Sequence, residues 1–311
     1  MGSLASVRFR VNEIPEGTLL YDRRTGLTIL LDEFNGKRAW SKPLNVAVQI
    51  TNNCNRSCKW CYASSSPSEA RGLWTREKIL ELCRFLDSWG INGVALGGGE
   101  PFTFPGFALL CREVWESTGL DVGATTNGDL VTDDDLAMLR GHFGQLRVSV
   151  WHPREVGVKV KQMLGKGVRI GINTILFKGG FDAVRQIVED GAAIGVNDFL
   201  VLSCKPYGRA SEAMTPVDAD IGQLAEFFRS NRRLSFKVDP ALSVALSSRG
   251  MRFMQPWVEE TSGPRFLMVT HDGYVKRDSF SETKVELQDF RLLPRIYAGL
   301  HSLEDNGGAT R

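Results

Sequence analysis

From residue 46 to residue 203 short apolar runs alternate with amphipathic stretches, and this rhythm leaves the chain very few folds. The apolar runs are VAVQIT (46–51), GVAL (93–96), DVGATT (121–126), LRVSV (146–150), VRIGINTIL (168–176) and DFLVLS (198–203). Between them lie TREKILELCRFLDSW (75–89), FALLCREVWEST (107–118), DDDLAMLRGHF (133–143), REVGVKVKQML (154–164) and FDAVRQIVEDGAAI (181–194), which read as helices. A parallel strand pair needs a crossover long enough to hold a helix. Six such units therefore predict an α/β fold on a parallel sheet, either open or curled into a partial barrel.

The flanks read differently. From Val7 to Asp32 the runs VRFRV, TLLYD and LTILLD predict short strands, an N-terminal β-rich extension over residues 1–43. Beyond Lys205 the rhythm weakens to one helix at DADIGQLAEFFRSN (218–231), a strand at LSFKVD (234–239) and a hairpin, RFLMVT-HDG-YVKRD (265–278). The expected layout is that extension, a core at 44–212 and a C-terminal extension at 213–311.

At 311 residues and 42% hydrophobic, the chain has apolar content enough for a core, so disorder is excluded. Its 38 basic and 36 acidic residues form no single-sign block, so neither nucleic acid nor an anionic membrane is an expected partner. No apolar run approaches the roughly 18 residues of a membrane helix, and MGSLASVRFR lacks the apolar stretch of a secretory signal. The expected location is cytoplasmic. Met1 to Ser6 fits the myristoylation pattern M-G-x-x-x-S, although an expression remnant reads equally well there.

Cys54, Cys58 and Cys61 fall within TNNCNRSCKWCYAS, the loop after the first core strand. In a reducing cytosol closely spaced cysteines are metal ligands or catalytic groups more often than disulfides. GGGEPF (97–102) follows the second strand and TNG (126–128) ends the third. Three unusual loops thus share the C-terminal edge of the sheet, where parallel α/β folds collect their ligands. A structural zinc would be expected to close with a fourth ligand, and no second C-x2-C or zinc-spaced pair among His142, His152, His271 and His301 supplies one. The spacing C-x3-C-x2-C therefore favours an iron–sulfur cluster on three thiolates. Its open iron faces a glycine backbone, 97–99, that lets a small polar molecule approach.

These three cysteines, with aromatic Trp60 directly before the last of them and GGEP (98–101) after the next strand, strongly resemble the radical S-adenosylmethionine (radical SAM) superfamily over roughly residues 46–210. The resemblance implies a partial (β/α)6 TIM-like barrel and one [4Fe–4S] cluster, whose fourth iron is chelated by the amino and carboxylate groups of S-adenosylmethionine (SAM). It implies an enzyme whose reduced cluster cleaves SAM to methionine and a 5′-deoxyadenosyl radical, which abstracts hydrogen from a substrate. Gly98, Gly99, Glu100 and Pro101 then match the loop at the SAM amino group. Thr126 and Asn127 match a segment near SAM, Ser149 and Asn173 match strand-end positions that hydrogen-bond its ribose or carboxylate, and Trp60 joins this cofactor-binding set. Plainer readings stand beside these: a tight turn for the glycines, a turn dipeptide for Asn127-Gly128 and ordinary strand polarity for Ser149.

Cys83 and Cys111 lie on apolar helical faces and read as buried filler. Cys204, in SCKPYGRA at the end of the sixth strand, is the candidate catalytic residue. It either packs there or returns a hydrogen atom to a substrate radical, a role that some radical SAM epimerases give to cysteine. Lys205, Tyr207 and Arg209 either bind substrate charge or line the rim. PYGRA and the hairpin resemble the SPASM and twitch group, whose extensions carry extra clusters. Positions such as Ser262, Asp278 and Ser279 are not cysteine here, however, and none follows Cys204, so auxiliary clusters are expected to be absent. His271, Asp272, Lys276 and Arg277 are either surface charges or polar contacts at the barrel mouth. The N-terminal extension either recognises a peptide, as in maturases of ribosomal peptides, or covers the barrel's bottom or edge.

The function implied by this resemblance is radical modification of a peptide, with an external one-electron donor such as flavodoxin or ferredoxin as partner. A small metabolite such as a sugar, nucleoside or cofactor precursor is the alternative substrate. A non-catalytic iron–sulfur or SAM-binding partner protein is the alternative of another class.

Overall fold

A computed structural model describes residues 9–14, 17–32, 42–251 and 266–305; the pattern from Met1 to Ser6 and the position Ser262 lie outside them. Three strands open the chain, β1 (Arg10–Ile14), β2 (Gly17–Tyr21) and β3 (Thr28–Asp32), joined as an antiparallel meander. The core follows as β4 (Asn45–Thr51), α1 (Arg76–Ser88), β5 (Gly93–Gly98), α2 (Phe107–Ser117), β6 (Asp121–Thr126) and α3 (Asp133–Leu139). It continues through β7 (Gln145–Ser149), a π-helical turn (Val156–Val160) running into α4 (Lys161–Met163), β8 (Ile170–Leu176), α5 (Phe181–Ala193) and β9 (Asp198–Ser203). Last come α6 (Asp218–Ser230), β10 (Ser235–Val238), α7 (Pro240–Ser247), β11 (Phe266–Val269), β12 (Tyr274–Lys276), β13 (Lys284–Glu286) and α8 (Leu293–Asp305).

All six expected core strands form, each parallel to the next in chain order. The C-terminal residues lengthen this sheet on both sides. β10 runs parallel to β9, while β11 runs parallel to β4 and is followed by antiparallel β12 and β13, giving the order β10-β9-β8-β7-β6-β5-β4-β11-β12-β13. One departure from the expected helices lies at 154–164, where a π-helical turn takes the middle five residues, Val156–Val160. That turn places Lys159 Nζ 2.7 Å from Glu155 and 3.3 Å from Asp129, and such wide turns recur near functional sites.

Each core strand has two unlike faces. Val48, Leu96, Val122, Val148 and Val201 are buried, as are Leu82 on α1, Leu110 and Val114 on α2 and Ile187 on α5, in one apolar cluster. Cys83 and Cys111 belong to this cluster, as their sequence context predicts, and burial pushes the Cys83 thiol up to about 12. The alternate positions carry small residues, among them Ala95, Gly97, Gly123, Thr125 and Gly171. Ala95 and Thr125 are exposed although they stand in central strands with paired neighbours on both sides. Their exposure requires a hollow on that face, the inside of the partial barrel.

The meander covers the N-terminal ends of the core strands. Tyr21 donates its hydroxyl to Asp121 at the start of β6, Asn12 donates to Asn92 just before β5, and Arg10 pairs with Asp87. Arg23 reaches the carbonyls of Thr118 (2.6 Å) and Leu120 (3.2 Å) while its guanidinium lies 4.3 Å from the centre of the Trp115 ring. Of the two readings of this extension, these contacts are those of a cover at the barrel bottom. The opposite edge, where the strands end, carries the cysteine loop.

Candidate active site

The cysteine loop is closed at its base like an Ω-loop. Cys54 N–H donates to the Ser66 carbonyl (3.1 Å), Ser65 Oγ donates to Asn52 Oδ1 (2.6 Å), and Asn53 Nδ2 donates to the carbonyls of Pro67 (3.0 Å) and Glu69 (3.2 Å). Within it, Cys61 N–H donates to the Cys58 carbonyl (3.2 Å) and Arg56 N–H points at Cys54 Sγ (3.4 Å). Partial burial pushes the thiols of Cys54 and Cys58 above the ordinary range. Arg56 and Arg209 pull Cys58 back, and the Arg56 N–H does the same for Cys54. Among the described residues no three His, Cys, Asp or Glu side chains converge on a single ion. A four-iron cluster asks for something else, thiolates that each take a different iron.

The glycine bend leans on the root of this loop. Gly99 N–H donates to the Thr51 carbonyl (2.8 Å) and Glu100 N–H to the Asn53 carbonyl (2.9 Å). A Cβ added at Gly98, where φ is +130°, would run into the Thr51 carbonyl, and one at Gly99 into the Asn53 carbonyl. At Gly97 an added Cβ meets nothing within 4 Å, so the hollow reaches this residue. Pro101 is buried and starts the short turn that follows. Glu100 is 1% exposed and faces inward. Its carboxylate accepts Thr126 Oγ1 (2.7 Å), Asn127 N–H (2.7 Å) and Phe102 N–H (3.2 Å). Burial raises its pKa and these three bonds oppose the rise. Glu100 thereby ties the end of β6 to the glycine bend.

Asn127 continues the chain of contacts. Its Nδ2 donates to Asn55 Oδ1 (2.7 Å) and lies 4.0 Å from Cys54 Sγ. Arg56 forks onto Asp129 (2.5 and 2.7 Å), and Glu155 and Lys159 complete a four-charge network. Glu155 also accepts the N–H groups of Trp151 (2.7 Å) and His152 (3.1 Å). Trp60 packs edge-on against Phe177 (5.1 Å) and Trp151 (6.0 Å), and its buried indole N–H has no partner among the described residues. Ser149 and Asn173 are register partners on β7 and β8. Asn173 Nδ2 donates to Thr125 Oγ1 (3.3 Å), whereas its Oδ1 is buried and unpartnered. Three thiols on a tied loop, an open cradle at Gly97 and orphaned polar atoms on Trp60 and Asn173 fit a cluster with a small polar ligand beside it.

Cys204 follows β9 directly and is buried, with its N–H on the Leu176 carbonyl (3.1 Å). Burial raises its thiol and Lys205 pulls it down. Asp239, the N-cap of α7, accepts Ser203 N–H (2.8 Å), Ser203 Oγ (2.7 Å), Leu242 N–H (2.9 Å) and the Lys205 ammonium, so it holds both sides of Cys204. His271 lies against Gln49 on β4 (3.1 Å) and its carbonyl accepts Leu73 N–H (2.9 Å), a contact at the barrel mouth. The sequence did not single out Arg56, Asp129, Glu155, Lys159 or Asp239 as site residues. Two of them left a trace, since Arg56 sits inside the cysteine motif and Asp129 directly follows TNG.

A parallel half-barrel with three thiols on its first loop and a glycine bend on its second defines the class, and residues 48–202 match the radical SAM superfamily, to which the chain belongs. Its cofactors are a [4Fe–4S] cluster and SAM. It is 26% identical over 200 residues to the sporulation killing factor maturation protein SkfB of Bacillus subtilis, covering 59% of this chain and only 48% of that protein, so the chain spans about half the length of this relative. It is 23% identical over 280 residues to a probable GTP 3′,8-cyclase of Methanothermobacter marburgensis, covering 79% of this chain and 89% of the cyclase. Its fold is similar to that of Streptococcus suis SuiB bound to precursor peptide SuiA, with TM-score 0.72, 14% identity and coverage of 94% of this chain and 87% of SuiB. Among the described residues no helix is long and apolar enough to cross a membrane.

Proposed function

We propose that this chain reductively cleaves SAM and abstracts a hydrogen atom from a peptide, as a maturase of a ribosomally made substrate. The likeness to SuiB carries the substrate reading. That structure holds a precursor peptide, and the likeness spans 94% of this chain, so it takes in the flanking extensions as well as the barrel. SkfB, itself a maturation protein, supports the same reading.

In this reading Cys54, Cys58 and Cys61 hold three irons of one cluster. The 97–99 backbone, Thr126, Asn127, Ser149, Asn173 and Trp60 border SAM. When bound, the cluster and SAM supply one-electron cleavage of a carbon–sulfur bond followed by hydrogen-atom abstraction. Glu100 holds Thr126 and Asn127 against the glycine bend. Cys204, fixed on both sides through Asp239, is the candidate donor of a returning hydrogen atom. An external one-electron donor such as flavodoxin or ferredoxin completes the system.

A second reading, a nucleotide-like metabolite, is favoured by the likeness to the cyclase and by Arg147 and Lys237, both paired to Asp198 (2.7 Å each) at strand positions that share a face with the hollow. Anaerobic reconstitution with iron counting and a dithionite assay tests the enzyme reading. The expected result is roughly four irons per chain and 5′-deoxyadenosine formation that disappears in Cys58→Ala. Eight or so irons would overturn the single-cluster assignment. Deuterium transfer into 5′-deoxyadenosine from labelled peptides rather than nucleotides decides between the two substrates.

A further inference from the structure

The segment after β9 lies directly on the cysteine loop. Arg209 sends Nε to the Cys58 carbonyl (2.8 Å), Nη1 to the Ser64 carbonyl (2.7 Å) and Nη2 to the Ser65 carbonyl (2.6 Å), while its own N–H donates to the Cys61 carbonyl (3.0 Å). One residue thus binds four carbonyls along the stretch that carries two of the three cysteines and the loop's return. The sequence left Arg209 as a substrate-binding or rim residue. The structure gives it neither part, because its guanidinium is engaged with loop backbone.

Two further observations converge. Gly208 sits at φ +65°, and an added Cβ would run into the carbonyls of Cys61 and Tyr62, so the approach is one that only glycine permits. Outside it, Tyr207 and Tyr62 both pack on Phe280 (ring centres 5.7 and 5.6 Å), which closes the C-terminal residues over the same loop. A guanidinium is a rigid fork of donors, whereas an ammonium is a single point of charge that cannot span three separated carbonyls. The geometry also brings a positive charge close to Cys58.

We propose that Gly208 and Arg209 form a strap that holds the cysteine loop in its cluster-bearing shape, with Arg209 a positioning residue that keeps a positive charge against the iron–sulfur cluster. This rests on the assignment of the cluster to Cys54, Cys58 and Cys61.

The test uses reconstituted wild-type, Arg209→Lys, Arg209→Met and Gly208→Ala holoenzymes. Two readouts are taken besides turnover: the rate at which an iron chelator bleaches the cluster's visible absorption, and the cluster's midpoint reduction potential. Arg209→Lys keeps the charge and loses most of the fork, so bleaching is expected to accelerate at least about tenfold with little change in potential. Arg209→Met is expected to bleach as fast and to shift the potential negative, because reduction adds a negative charge that the guanidinium no longer offsets. Bleaching of Arg209→Lys and Gly208→Ala at the wild-type rate overturns the strap, and an unshifted potential in Arg209→Met overturns its electrostatic part. If Arg209→Met does not fold, as read by circular dichroism, Arg209→Lys and Gly208→Ala still decide the strap, and Arg209→Gln replaces it for the potential. A wild-type protein that takes up no cluster overturns the cluster assignment, whereas a normal wild-type cluster with unaltered variants overturns only the strap.

Discussion

Gly97, Gly98 and Gly99 are one run in the sequence and three different positions in the structure. Gly97 opens on the hollow, so Gly97→Ala is expected to leave the thermal midpoint unchanged while weakening SAM binding about tenfold or more, as read by calorimetry. Gly98 meets the Thr51 carbonyl at a φ of +130°, so Gly98→Ala is expected to cost about 1–3 kcal/mol in denaturant unfolding. Equal behaviour of the two variants would contradict the hollow. Glu100 offers a second check at this scale. Its carboxylate accepts three donors, and Glu100→Gln would turn an amide N–H toward one of them. A loss of about 1–3 kcal/mol in the urea transition is expected. The sequence marked Glu100 as a residue at the SAM amino group, from its motif. That its oxygens are engaged with Thr126, Asn127 and Phe102 was not legible, because those partners come from another strand and from its own bend.

At the level of elements, the core strands were legible nearly to the residue, since their apolar runs are short and bounded by turn chemistry. Helix α3 ends at Leu139, earlier than the pattern to Phe143 suggested, because Arg140 leaves the helix and Gly141 takes φ +74°. The π-helical turn was not legible, because what accompanies it is the burial of Lys159 between Glu155 and Asp129, two carboxylates on separate connections. Asp239 joins two elements, capping α7 and gripping the end of β9. Asp239→Ala is expected to cost about 2 kcal/mol in urea unfolding, near the upper end for a lost cap, and to speed alkylation of Cys204 by a thiol reagent. Unchanged alkylation would mean that Cys204 is held by its own packing instead.

At the scale of the molecule, the sheet carries opposed charges across β7, β9 and β10. Burial alone would push the Asp198 carboxyl up, but Arg147 and Lys237 outweigh it and hold the group below its ordinary value of 3.8. A carboxyl lowered in the folded state contributes stability that is complete above the ordinary value and lost as pH falls through the folded one. Wild-type urea midpoints should therefore fall steeply below about pH 4, and Asp198→Asn should flatten that limb. At neutral pH the same variant leaves two cations facing each other and is expected to cost roughly 3 kcal/mol. An equally steep acid limb in both proteins would place the acid sensitivity elsewhere.

The alternation of strand and helix, the three thiols with Trp60 and the GGEP bend were all carried by residues close together in the chain. Local periodicity decides secondary structure, and a cluster motif packed into eight positions needs no fold to be read. From these came an α/β fold on a parallel sheet, open or curled, and a three-thiolate cluster loop, and their resemblance to the radical SAM superfamily implied the barrel and the cofactors. What only the tertiary structure decided joins residues far apart: Arg209 onto the carbonyls of 58–65, Tyr21 onto Asp121, β10 and β11 onto opposite sides of the core, and the hollow itself. Each depends on which face a residue presents and what meets it there, and that is a property of packing between distant segments, which no local pattern encodes.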